Sequence, residues 1–326
     1  MRETDHVTEN LAGPSSWVLG TRGSDLARTQ AGQVAEALTA AGAGPLEMRI
    51  VRTEGDVTTG SLASLGGTGV FAGALRTALK AGTADVVVHS LKDLPTTPEP
   101  GLRIAAVPPR ADVRDALCAR NGWTLATLPA GARVGTGSPR RAALLRLARP
   151  DLEVVDIRGN VPTRLARTEN DLDAVVLAMA GLVRLGLEAR ATEVLDPADM
   201  LPAPGQGALA VETRAEVPEP LAGALAVVDD LPTLVAVTAE RQLLASLEAG
   251  CAAPVGALAT VESGVLTLEA IAAAIDGGRA LRSSQRTSID LDGDREAAIA
   301  TARRLGRDLG LELLGQGAGE LARARP

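Results

Sequence analysis

The chain has 326 residues, a formal net charge of −7, 46% apolar residues and almost no aromatics: two Trp, one Phe and no Tyr. That length supports two or three domains with cores of Ala, Val and Leu, held without metals or disulfides. The acidic balance and the scarcity of rings argue against broad nucleic-acid or anionic-membrane binding, and no apolar run reaches membrane-spanning length. The two cysteines, Cys118 and Cys251, are far apart, make neither a disulfide framework nor a zinc site, and fit a reducing compartment.

Residues 1–16 are polar and acidic and are expected to form a loose tail with no secretory signal. Trp17 to Gly20 predicts a first strand, and Ser24 the N-cap of a helix carrying Leu26, Gln30, Val34 and Leu38 on one face. Thr21-Arg22-Gly23 joins the two. Leu46 to Val51 alternates as a strand does. A Gly/Ser/Thr-rich connection from Gly55 to Gly69 is longer than an ordinary turn, which suggests a functional loop. A helix over 70–81 then leads to Ala84 to Val88, a short buried strand. It empties into His89-Ser90-Leu91-Lys92-Asp93, closed by Pro95, and such loops are where open α/β sheets place their ligands. By itself this pattern does not choose among the four polar residues.

After a strand over 102–107 the pattern begins again. Ala132 to Gly135 predicts a strand, Thr136-Gly137 a tight loop, Ser138 an N-cap and Pro139 the first residue of a helix to about Ala148. A strand over 152–156, a helix from about Val161 and a strand over 173–177 follow. Gly20-Thr21-Arg22-Gly23-Ser24 echoes Gly135-Thr136-Gly137-Ser138, and Ala84 to Val88 echoes Leu172 to Val176. The echoes suggest two similarly built α/β domains whose helix N-termini face a common cleft. The turn-rich passage Leu201 to Gly207, before a strand over 208–212, is expected to cross back between them. Beyond Pro232 the composition changes. A helix over 233–248, a small-residue loop holding Cys251, alternating segments between 255 and 289, and a helix over 294–314 suggest a third, α+β domain. Cys118 lies in an apolar run and is expected to be a buried thiol.

Arginines supply the clearest chemical signal. Arg22 lies in the first strand-to-helix joint, Arg158 and Arg164 follow one later strand and Arg184 another. Arg140 and Arg141 occupy the first turn of a helix, against the macrodipole, which makes sense if an anion is bound between them. The implied ligand carries several carboxylates or phosphates.

These segments together resemble the hydroxymethylbilane synthase, or porphobilinogen deaminase, family. The resemblance rests on Gly20-Thr-Arg-Gly-Ser24, His89-Ser-Leu-Lys-Asp93, Val134-Gly-Thr-Gly-Ser-Pro-Arg-Arg141, Ile157-Arg-Gly-Asn160 with Arg164, Leu177 to Glu188, Leu201-Pro-Ala-Pro-Gly-Gln-Gly207 and Leu247-Glu-Ala-Gly-Cys251-Ala-Ala-Pro254. It implies two α/β domains like the halves of type II periplasmic binding proteins, plus a small α+β C-terminal domain. The expected boundaries are 17–108 with 205–227, 109–204 and 228–326.

Family members condense four porphobilinogen molecules, release ammonia from each, and hydrolyse off the linear tetrapyrrole. They build it on a dipyrromethane primer joined to a cysteine by a thioether. Carried onto this chain, Cys251 is the attachment point and Asp93 the proton-handling carboxylate. Arg22, Ser24, Ser90, Lys92, Thr136, Ser138, Arg140, Arg141, Arg158, Arg164, Arg184 and Gln206 bind or support the carboxylate-rich chain, and His89 is left structural. The resemblance further implies a cytoplasmic monomer. One departure stands out: Ser64 and Thr68 occupy positions where many relatives carry lysines. The rival reading is a non-catalytic protein whose two lobes bind a dicarboxylate, and Cys251 within its matched motif speaks against it.

Overall fold

A computed structural model describes residues 16–51, 69–247 and 254–322. The N-terminal tail, most of the Gly55–Gly69 connection with Ser64 and Thr68, and the attachment residue Cys251 lie outside the described residues. The chain opens with β1 (Trp17–Thr21), α1 (Asp25–Ala40), β2 (Leu46–Ile50), α2 (Gly69–Lys80), β3 (Val86–Ser90) and β4 (Leu102–Ala106). It continues through β5 (Asp115–Ala119), β6 (Arg133–Gly135), α3 (Pro139–Ala148), β7 (Glu153–Val155), α4 (Val161–Ala166), β8 (Ala174–Ala178), α5 (Met179–Arg184) and β9 (Glu193–Val194). Then come β10 (Leu209–Arg214), α6 (Leu221–Val228), α7 (Leu231–Ser246), β11 (Val255–Glu262), β12 (Val265–Ala273), β13 (Ala280–Ser288), α8 (Arg295–Gly315) and α9 (Ala318–Ala322).

Two five-stranded sheets share one plan, β2-β1-β3-β10-β4 and β7-β6-β8-β5-β9. In each, the fourth strand runs antiparallel to its neighbours. That strand is the first one the chain forms after leaving the other sheet, so each sheet is completed by a crossing. The echoes noted in the sequence fall at matching places: β1 and β6 are second in their sheets, β3 and β8 third. Ser24 and Ser138 are both N-caps, their hydroxyls accepting from the backbone N–H of Ala27 and Arg141 at 3.4 Å.

Strand β5 has no counterpart in the alternation reading. All but its last residue are buried, and so it shows an apolar run rather than a period of two. Within it Cys118 is buried, and burial pushes its thiol up to about 11, which leaves it inert.

The crossings, 107–114 and 195–208, touch each other where Ala111 N–H donates to Gly207 O at 3.3 Å. Gly207 has φ +86°, and a Cβ there would sit 2.5 Å from Ala111 O, so only glycine admits this approach. The third sheet, β11-β12-β13, is antiparallel and packs its inner face on α7 and α8 around Val235, Leu243, Leu266, Leu268, Leu305 and Leu309. It joins the crossing through Ala257 N–H, which donates to Pro202 O at 2.9 Å.

Candidate active site

The site is assembled where the crossings meet the end of β3. Beyond Ser90 the chain makes one tight turn, Leu91–Asp93, begun by Leu91 N–H donating to Ala208 O at 3.0 Å. Asp93 is exposed on it. Lys92 donates to Gln206 Oε1 at 3.3 Å. Gln206, fully buried in the returning crossing, donates through Nε2 to Val113 O and to Asp115 Oδ1, each at 2.8 Å. Asp115, at the start of β5, accepts from Arg140 Nη2 at 2.7 Å and from Arg141 Nη2 and Nε at 2.7 and 3.1 Å. A continuous polar chain therefore runs from Lys92 to the start of α3.

Asp115 supplies the arginine pair with a counterion. The anion between Arg140 and Arg141 is the protein's own Asp115. The two arginines are only 3% and 5% exposed, and charges buried so deeply require a counterion. Burial opposes the Asp115 charge, but Arg140 and Arg141 outweigh it and hold the carboxyl far below the usual range. One further nitrogen of each reaches a carbonyl: Arg140 Nη1 donates to Leu201 O at 2.7 Å and Arg141 Nη1 to Val176 O at 3.0 Å. Lys92 is lowered to about 8, first by burial and then by Arg141, with Asp93 and Asp115 pulling the other way.

The other arginines lie on the surrounding elements. Arg164, on α4, is lowered by burial, then by the charges of Arg141 and Arg158, while Asp93 raises it, so these groups share one electrostatic neighbourhood. Arg184 donates to Gly207 O at 2.9 Å. Arg158 is exposed, 3.5 Å from Asp156. Arg22 is half-buried in the joint between β1 and α1. The first turns of α1, α4 and α5 converge, since a Cβ at Gly181 would lie 3.9 Å from Val161 and 4.0 Å from Leu26.

The hydroxyls are partly engaged. Thr136 Oγ1 accepts from Ser138 N–H at 3.2 Å, Ser24 and Ser138 serve as caps, and the Ser90 hydroxyl pairs with the Gln30 amide, at 3.0 Å to its Nε2. An accepting hydroxyl keeps its own proton for a further acceptor. His89 is turned away from this chemistry, its Nε2 3.1 Å from Glu212, which also takes a bidentate pair from Arg76.

Residues that the sequence pattern passed over hold the centre together. Asp115 is one. Arg110 and Glu240 are two more: the Arg110 Nε donates to Gln206 O at 2.8 Å, and its Nη atoms to Glu240 at 2.6 and 2.9 Å. Glu240 is fully buried on α7 and also accepts from Gly205 N–H and Ala259 N–H at 2.6 and 2.8 Å. Its place on the buried face of an amphipathic helix was the available signal, because a buried carboxylate needs partners.

A group bearing several carboxylates fits these residues. Arg140 Nε and Arg164 Nε are buried without a hydrogen-bond partner, and the surroundings are cationic beyond what Asp115 neutralises. A dipyrromethane, with acetate and propionate arms, matches that donor set.

Comparison with known proteins agrees. Residues 17–221 match the family described as porphobilinogen deaminase, dipyromethane cofactor binding domain, and residues 234–315 match porphobilinogen deaminase, C-terminal domain. The porphobilinogen deaminase of Micrococcus luteus is 58% identical over 308 residues, covering 83% of this chain and 82% of the relative. That of Cutibacterium acnes is 53% identical over 323 residues, 93% and 96% of the two chains. That of Mycobacterium tuberculosis is 50% identical over 313, covering 93% and 97%. Among solved structures, a YaeC-family lipoprotein from Enterococcus faecalis covers 66% of this chain and 91% of its own at 16% identity, with a TM-score of 0.38. With both halves matched and identities above one half over most of its length, the chain belongs to the porphobilinogen deaminase family.

Proposed function

We infer that this chain is a hydroxymethylbilane synthase. It joins four porphobilinogen units head to tail with loss of four ammonia, then releases the linear tetrapyrrole by hydrolysis. The observation that carries the site assignment is the polar chain Lys92–Gln206–Asp115–Arg140/Arg141 ending beside Asp93 and Arg164.

Asp93 is the catalytic carboxylate. On an exposed turn it can reach a pyrrole N–H, oppose the positive charge that develops as ammonia leaves, and accept the proton lost after coupling. Arg164, Arg158, Arg184, Arg22 and Lys92 bind carboxylates, each buried charged contact contributing about 1.5–3 kcal/mol. Ser24, Ser90, Thr136 and Ser138 add hydroxyl donors, and Gln206 ties Lys92 to Asp115. Arg140 offers its unpartnered Nε, and Arg141 acts chiefly through its charge, part of which Asp115 already neutralises. When bound, the dipyrromethane held through Cys251 supplies the nucleophilic pyrrole carbon.

The domain division expected from the sequence, 17–108 with 205–227, 109–204 and 228–326, is part of this reading. So is a cytoplasmic monomer. A thioether link requires Cys251 as a free thiol, which a reducing compartment preserves.

Intact mass tests the assignment. The purified protein is expected to exceed its sequence mass by one dipyrrole, and Cys251→Ser to remove the excess together with activity. An active, unmodified protein would overturn it.

A further inference from the structure

Two adjacent side chains of α7 grip opposite kinds of backbone group. Glu240 accepts from N–H donors of the crossing and of β11, as described above. Arg241 donates, its Nη1 to Leu91 O at 3.3 Å and Leu94 O at 2.8 Å, and its Nη2 to Pro95 O at 2.6 Å. These carbonyls frame the turn that carries Lys92 and Asp93. A single tight turn satisfies little of its own backbone: Leu94 N–H returns to Leu91 O at 3.1 Å, and the chain then leaves in extended conformation. The carbonyls of Leu94 and Pro95 lie outside any strand or helix, and the planar fork of an arginine suits divergent acceptors of this kind. Val237 lies one helical turn before Arg241 and shares an apolar cluster with Leu91 and Leu94. One face of α7 thus meets the turn with an apolar contact and a polar one.

We propose that Arg241 is a positioning residue for the condensation reaction. It acts through the backbone of 91–95 to fix the turn bearing Asp93, and it does so from the helix whose C-terminal end leads in sequence to Cys251. The turn bearing the catalytic carboxylate is thus held by the helix that precedes Cys251 in sequence. The inference rests on the assignment of Asp93 made above. It is of consequence because a displacement of about 1 Å in a reacting group can lower a rate by about 10²-fold.

Arg241→Met keeps the apolar stem and removes the donors, and Arg241→Lys keeps the charge but not the fork. In primer-loaded, folded enzyme, with loading verified by intact mass, Arg241→Met is expected to lower kcat about 10- to 100-fold while KM moves by no more than about threefold. Arg241→Lys should fall between it and the wild type. The decisive readout is the rate of pyrrole addition per step, followed by mass, in an Asp93→Asn background. Adding Arg241→Met there should change the rate by less than about twofold, because the positioned carboxylate is already gone.

A wild-type kcat for folded, loaded Arg241→Met would overturn the proposal, and so would losses that multiply in the double variant. If Arg241→Met does not fold, Arg241→Lys enters the same comparison with the same criteria. Wild-type turnover in Asp93→Asn alone would instead remove the reading on which the proposal stands, so the two failures are told apart.

Discussion

The two five-stranded sheets are built alike but furnished differently. Their antiparallel strands begin at equivalent positions: Leu209 of β10 pairs with Ser90, the last residue of β3, and Asp115 of β5 pairs with Ala178, the last residue of β8. One half thus has a buried leucine where the other has a fully buried carboxylate. Beyond the paired residue, the first half makes a bare turn carrying Lys92 and Asp93, whereas the second enters α5 through Met179, Ala180 and Gly181. The contrast separates two duties that one plan would otherwise repeat. The first half presents the carboxylate proposed to handle protons, and the second gathers cations and contains their counterion.

The contrast can be broken at its most sensitive point by Asp93→Asn. Turnover is expected to fall by about 10²–10⁴-fold with the primer still attached, measured by product formation and intact mass. Near-normal activity would remove Asp93 from the chemistry and the first half from its role.

Asp115→Leu makes the second half imitate the first. It strands two buried guanidinium groups and is expected to destabilise the fold by about 3–5 kcal/mol in urea denaturation. Adding Arg140→Met and Arg141→Met should restore much of the stability but not the activity; a triple variant no more stable than Asp115→Leu would refute the counterion role. The wild-type pH dependence follows in sign. The folded Asp115 carboxyl lies below its unfolded value, so its contribution is complete above that value and drains away as acid titrates the group.

The smallest effect expected concerns Lys92. Its folded value of about 8 lies below the ordinary 10.5, so its desolvated charge opposes folding at neutral pH. That opposition lapses as pH rises from about 8 towards 10.5. Over this window the stability of primer-free wild type should rise relative to Lys92→Met, and above pH 8 the KM for porphobilinogen should rise as a carboxylate-binding charge is lost. Parallel pH profiles for the two proteins would exclude a half-buried, titrating Lys92.

Local signals made much of this architecture readable. Ser24 and Ser138 cap the helices that follow them because a cap needs only its own next three residues. The apolar strand before the site is legible for the same reason, but it runs from Val86 to Ser90, so His89 and Ser90 belong to the strand rather than to the loop, where the sequence pattern puts them. Asp115 was not, since its partners stand at Arg140, Arg141 and Gln206, brought together only when both crossings are in place. The arginine pair reads as needing an anion, but a sequence does not say whether that anion comes from the chain or from a ligand. Glu240 read as part of an amphipathic helix, and its contacts with Gly205, Ala259 and Arg110 follow from where that helix docks.

Asp115 also bears on the order of events in the life of this enzyme. The family resemblance implies a primer made from substrate, in which case the polypeptide must reach its native form before any primer exists. An arginine-lined cleft left to repel itself would be a poor starting point for that first, unassisted assembly. With a carboxylate of its own between Arg140 and Arg141, the chain can close around an empty cleft and wait for porphobilinogen, and an apoenzyme becomes a stage in maturation rather than a failed product.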